Sequence, residues 1–214
     1  MKHLVGDLTG KAMDMTINRQ SNTYPVIILP GALNERAEDS GRALVEMVFS
    51  ARMKTLTTVS VFVVEGNGLV DLRETIAELM HGRSFSVGHP WNSLMVAPPL
   101  LLAEQPNLNV IGEGVASGPG LTLPLFVEVD ARNWASILSE QSSSSDRLGI
   151  LVRCQNTEAL LTCASQHVRS GSCYLHIHED DGALANLLGT LLNRPGVSLT
   201  VASDPPPVSW LNKT

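Results

Sequence analysis

The sequence predicts an α/β fold: a mostly parallel twisted sheet with helices on both faces and an irregular middle insertion over residues 83-125. Three observations lead there. Residues 148–202 alternate apolar strand, helix, strand, helix, strand: LGILVRCQ, NTEALLTCASQHVRSG, SCYLHIHEDD, GALANLLGTLLNRPG, VSLTVASD. The first 80 residues keep the same rhythm. The runs PVIIL and VSVFVV are apolar almost throughout, as in strands covered on both faces.

Residues 1 to 23 are polar and weakly patterned, an arm or an added edge strand. Pro25 to Leu29 is a buried strand bounded by Pro30-Gly31. From Asn34 the pattern turns helical, with Ala37, Leu44, Val45, Val48 and Phe49 in one stripe. Glu35, Glu38 and Asp39 suit the positive end of the helix dipole. Val59 to Val64 is the clearest strand. A helix follows from Val70 to Met80, closed by His81-Gly82.

The 83-125 segment breaks the rhythm. Phe85 to Val87 and Ser93 to Val96 read as short strands, followed by Pro98-Pro99 and the glycine-rich Gly112 to Gly120. Antiparallel strands or an extended arm are expected here. The apolar Met95 to Ala103 stretch is the candidate oligomer contact. Leu121 to Asp130 reads as a strand, Asn133 to Glu140 as a short helix, and Gln141 to Asp146 as a flexible loop.

The boundaries expected are 1-140 for an N-terminal α/β lobe with the insertion, 146-204 for a C-terminal βαβαβ unit, and 205-214 for an extended tail. One domain holding all three is the alternative. Three consecutive prolines give the tail a polyproline-like course, with Trp210 as its anchor on the body or, alternatively, a partner-binding end.

Charged residues make up 17% of the 214, against about 25% in an average protein. Uncharged polar residues cover the surface instead, or part of it is buried against another chain. The net charge is -6 and the basic residues are scattered, which argues against nucleic acid as a ligand. The three cysteines, Cys154, Cys163 and Cys173, have no paired spacing. They read as small buried hydrophobes in a reducing compartment. No leader pattern opens the chain and no apolar run is long enough to span a bilayer, so the expectation is a cytoplasmic protein with no membrane span.

Nucleotide motifs are incomplete. Gly6 to Lys11, GDLTGK, is one residue short of a phosphate loop, and Ala12 stands where a hydroxyl should hold Mg²⁺. Glu65-Gly66-Asn67-Gly68 follows a strand and precedes a helix, but Asp71 takes the third glycine position of a dinucleotide fingerprint. A plain strand-to-helix turn explains it.

Two candidate sites remain. If the first two strands are neighbours, their C-terminal loops form one crevice holding Asn34, Arg36, Glu65 and Asn67 as ligand-binding residues. The second is His176-Ile177-His178-Glu179-Asp180-Asp181. Alternate strand residues share a face, so His176 and His178 would point together and could hold Zn²⁺. His176, His178 and Glu179 could instead serve acid-base chemistry. The plain reading is two histidines filling a half-buried face, with an aspartate capping the next helix. That helix carries Leu184, Leu187, Leu188, Leu191 and Leu192 at core spacing, and an uncharged Asn186, Thr190, Asn193 face.

The expectation from sequence is therefore a non-catalytic α/β subunit or adaptor in a larger assembly. It would resemble a nucleotide-binding domain without phosphate motifs, with a protein partner or a second copy and no cofactor identified. The alternative is a small-ligand- or metal-binding enzyme or sensor with its site at the strand C-terminal ends around His176 and His178.

Overall fold

Six parallel strands and one antiparallel edge strand form the central sheet, in a computed structural model that describes residues 23–49, 58–85, 107–116, 124–134 and 148–207. In chain order the strands are β1 (Thr23–Ile28), β2 (Thr58–Val64), β3 (Ser84–Phe85), β4 (Leu108–Glu113), β5 (Val115–Ala116), β6 (Leu125–Asp130), β7 (Leu148–Cys154), β8 (Gly171–His176) and β9 (Val197–Ala202). The helices are α1 (Pro30–Phe49), α2 (Gly68–Met80), α3 (Thr157–His167) and α4 (Gly182–Leu192).

The expected class is the observed one. The sheet order is β4-β6-β7-β2-β1-β8-β9, with β3 and β5 as a separate pair. β4 runs antiparallel to β6 and carries an irregularity between Val110 and Gly112. All other neighbours in the large sheet are parallel.

The apolar runs become central strands because both their faces are covered. Val26 and Ile28 of β1 pack with α1 and α2 on one side, while Ile27 and the following Leu29 pack with α3 and α4 on the other. All four are fully buried. Each contributes roughly 1.5–3 kcal/mol over its exposed state. β7 lies between β6 and β2, and Gly149 makes room there for the Phe126 ring.

Several boundaries differ from expectation. α1 begins at Pro30, not Asn34, and is interrupted at Arg36. The Pro30-Gly31 loop is thus the first helical turn, where proline lacks only an N–H that has no intrahelical partner. The insertion contributes the antiparallel β4 and the short β3 and β5. In α4, Leu188 and Leu192 are buried, Leu184 and Leu191 are half-buried, and Leu187 is exposed. The expectations for Ser93 to Val96, Met95 to Ala103, the Asn133–Glu140 helix beyond Trp134, the 1–22 arm and Trp210 lie outside the described residues.

The chain path sets where a ligand can enter. From β1 it passes through α1 to β2 on one side, while from β8 it passes through α4 to β9 on the other. β1 and β8 are neighbours. Beyond their C-terminal ends the loops therefore diverge and leave a crevice, the position where open parallel sheets bind ligands.

Candidate functional site

A cleft of about 290 Å³ lies at that divergence, lined by Ala32, Arg36, Ile177, His178, Glu179 and Ser203. It is built from three chain segments: the start of α1, the turn after β8 and the turn after β9. Its volume is near the lower end for small-molecule sites, roughly 300–1,000 Å³.

His178 stands at the turn after β8. Its backbone N–H donates to Asp181 Oδ2 at 2.9 Å, and its Nδ1 accepts from the Asp180 N–H at 3.4 Å. The same Nδ1 lies 3.4 Å from the Asp180 carboxylate Oδ2. His178 is half-buried and lines the cleft.

His176 has a different setting. It is fully buried, with Nδ1 3.2 Å from Ser40 Oγ and Nε2 3.0 Å from the Ser203 carbonyl. A carbonyl only accepts, so Nε2 carries the proton and Nδ1 accepts from the Ser40 hydroxyl. Burial, the largest cause, pushes its pKa below the ordinary histidine value. Both ring nitrogens are committed, so His176 ties β8 to α1 and to the β9 exit. Among the described residues, no group of three or more His, Cys, Asp or Glu side chains is placed to hold a metal ion.

Arg36 reaches across the cleft mouth. Its Nη1 donates to the Ser203 carbonyl at 3.1 Å and to Asp204 Oδ1 at 3.0 Å. Tyr174 donates its hydroxyl proton to the Asp204 carbonyl at 2.9 Å. These bonds hold the 203–205 segment along the rim.

β1 and β2 are neighbours, as the first candidate crevice required. The four residues proposed for it divide nonetheless. Asn34 Oδ1 accepts from the Gly68 N–H at 3.4 Å, beside Asn67, which occupies the N-cap position of α2. Glu65 lies 3.7 Å from Arg153 on the β7 side. Arg36 alone faces the β8 side.

A charged cluster that the sequence did not disclose sits at the ends of β2, β6 and β7. Arg73 donates to both oxygens of Glu128 at 2.5 Å. Arg153 lies 3.5 Å from Glu128 and 3.6 Å from Asp130, and Arg132 donates to both oxygens of Asp130. The Arg132 hydrogen bond, ahead of all other causes, holds the Asp130 carboxyl at about 2. With Glu65, three arginines meet three carboxylates, so the cluster is self-neutralising.

The cysteines are buried, as expected. Burial pushes the Cys173 thiol up to about 12. Contact with Cys163, and then burial, hold the Cys154 thiol protonated. No thiol lines the cleft.

No family model matches this sequence, and no curated protein matches it. Solved structures do match in fold. The NAD-dependent benzaldehyde dehydrogenase of Corynebacterium glutamicum is 13% identical at a TM-score of 0.59, covering 90% of this chain and 41% of that one. The glyceraldehyde-3-phosphate dehydrogenase of Methanocaldococcus jannaschii, complexed with NADP, is 16% identical at 0.54, covering 84% and 40%. The salicylaldehyde dehydrogenase of Pseudomonas putida, complexed with salicylaldehyde, is 13% identical at 0.56, covering 84% and 38%. This chain spans about two fifths of those three proteins, and about a fifth of proline utilization A from Bdellovibrio bacteriovorus.

These matches correct the expectation of a non-catalytic assembly subunit or adaptor: the proteins sharing the fold are dehydrogenases. That expectation leaned on missing linear motifs and low charge. Neither is diagnostic here, because the cleft is assembled from segments about 150 residues apart and no single stretch displays it. Among the described residues, no helix is long and apolar enough to cross a membrane.

Proposed function

We propose that this chain is the ligand-binding α/β domain of a dehydrogenase-type enzyme, taking a small aldehyde or the corresponding alcohol in the β1–β8 cleft. The observation that carries the reading is the cleft itself. It lies where parallel strands diverge and presents the His178 imidazole beside the apolar surfaces of Ala32 and Ile177. In this reading His178 Nε2–H donates to the ligand oxygen and serves as its acid-base group. Arg36 holds the rim against the 203–204 carbonyl and carboxylate, and Glu179 faces the open side. The dehydrogenase folds matched, on benzaldehyde and salicylaldehyde among other substrates, support this ligand class.

A nicotinamide dinucleotide does not fit this cleft as the chain presents it. The glycine fingerprint is incomplete, and the first helix N-terminus already holds the carboxylate of Asp181.

Calorimetric titration with benzaldehyde, and with benzyl alcohol as the corresponding alcohol, tests the proposal. The expected outcome is saturable binding that His178→Ala weakens by roughly tenfold, about 1.4 kcal/mol. Absence of binding by both probes, or unchanged affinity in His178→Ala, would overturn it.

A further inference from the structure

The N-terminus of α1 is the place on this rim where a phosphate would be held, because its free N–H groups and helix dipole favour an anion. It is filled from within. Asp181 Oδ1 accepts from the Gly31 N–H at 2.8 Å, and Oδ2 accepts from the Ala32 N–H at 3.0 Å. The same Oδ2 accepts from the His178 N–H. Asp181 is buried, and a Cβ on Gly31 would stand 2.9 Å from its carboxylate. Gly31 therefore leaves room for this carboxylate and for little else.

Two other helix starts on the rim follow the same rule. Gly68 of α2 donates to Asn34, and Asp71 lies in that first turn. Ala159 of α3 donates to Asn156 Oδ1 at 2.9 Å. Glu179, Asp180 and Asp181 precede α4 in a single 3-10 turn. The α2 and α3 starts thus each meet an internal side-chain oxygen, while the α4 start has no side-chain cap.

We infer that Asp181 is a built-in anion that closes the α1 N-terminus to phosphate and so restricts the cleft to ligands with no phosphate at that end. Any dinucleotide serving the reaction is then held by protein other than this cleft. The inference rests on the cleft being the ligand site. It goes further by excluding one class, phosphorylated aldehydes and nucleotide phosphates, from the α1 end.

The test uses the full chain. Inorganic phosphate and ADP are titrated into ¹⁵N-labelled wild type at constant ionic strength. No saturable shift at the Gly31, Ala32 and His178 amides is expected. Asp181→Ala is expected to melt several degrees lower. Formate or phosphate should restore at least half of that loss, beyond the effect of chloride at equal ionic strength. Glu38→Ala, which removes an exposed carboxylate from the same helix, should show neither loss nor rescue. Saturable phosphate binding to wild type at those amides overturns the inference, as does an Asp181→Ala protein that neither anion rescues. If Asp181→Ala does not fold, Asp181→Asn, which keeps one acceptor oxygen, takes its place with a smaller loss and partial rescue. Failure of aldehyde binding would remove the proposed substrate and leave these outcomes unchanged. Phosphate binding to wild type would remove only the present inference.

Discussion

Two arginine–glutamate pairs, one buried and two-pronged, the other exposed and held by a single hydrogen bond, show what sets ion-pair strength. Arg73 meets Glu128 at 2.5 Å and Arg83 meets Glu46 at 2.6 Å. Their surroundings differ: the Glu128 side chain is 7% exposed and that of Glu46 is 47% exposed, with arginines at 31% and 35%. Glu128→Gln keeps the shape and removes the charge. Breaking one side of a buried pair costs roughly 3–5 kcal/mol. Water reaching the partly exposed Arg73 screens part of this, which lowers the expectation to about 2–3 kcal/mol. Arg153, 3.5 Å away, also loses a counter-charge. Glu46→Gln should cost about 1 kcal/mol or less, as exposed pairs do. Urea denaturation of both variants, with Arg73→Met completing a double-mutant cycle, measures the difference. Equal losses in the two variants would refute burial and two-pronged geometry as the deciding factors.

Gly149→Ala should destabilise by about 1–3 kcal/mol, because the new methyl would lie 2.4 Å from the buried Phe126 ring. Gly189→Ala meets nothing within 4 Å and should stabilise α4 by roughly 0.5–1 kcal/mol; melting temperatures moving the same way would contradict one of the two. His176 has its folded pKa below the ordinary 6.5, so its contribution is complete above that value and is lost as pH falls through the folded pKa. Urea midpoints should drop on acidification below pH 6.5, less so in His176→Gln, and a rise would be inconsistent with a neutral buried ring. Asp130 acts lower, its contribution fading only from 3.8 down to about 2. Cys154 and Cys173 should resist a thiol-reactive disulfide reagent in the native state and react on unfolding, and rapid native labelling would place them nearer the surface than found.

The elements most readable from sequence were those whose burial is decided locally. VSVFVV and PVIIL announce two-sided strands, and the α2 stripe of Leu72, Ile76 and Met80 announces a covered helix. β4 was not readable as a particular strand, because an edge strand with LNVIGE composition is mostly half-exposed or exposed. Strand order was hidden for a similar reason: nothing local in LGILVRC says that β7 inserts between β6 and β2. Asp181 shows the limit most clearly. The sequence placed an aspartate before α4, and Asp181 does hold that position, yet its carboxylate makes no cap bond to α4 and instead closes α1, about 150 residues earlier. The helix start at Pro30 depends on that distant carboxylate, which is why the local pattern pointed to Asn34. Arg73, Glu128 and Arg153 stayed invisible because they sit on three different elements: the β6–β7 register brings Glu128 and Arg153 together, and the packing of α2 adds Arg73.

The most direct measurement is where a small ligand lands. Amide shifts mapped during titration with benzyl alcohol should move Ala32, Ile177, His178 and Ser203, the residues around the β1–β8 divergence. Shifts confined to Ala77, His81 and Gly112, which line a separate cleft of about 550 Å³ at the β4 edge, would place the ligand elsewhere and contradict the assignment.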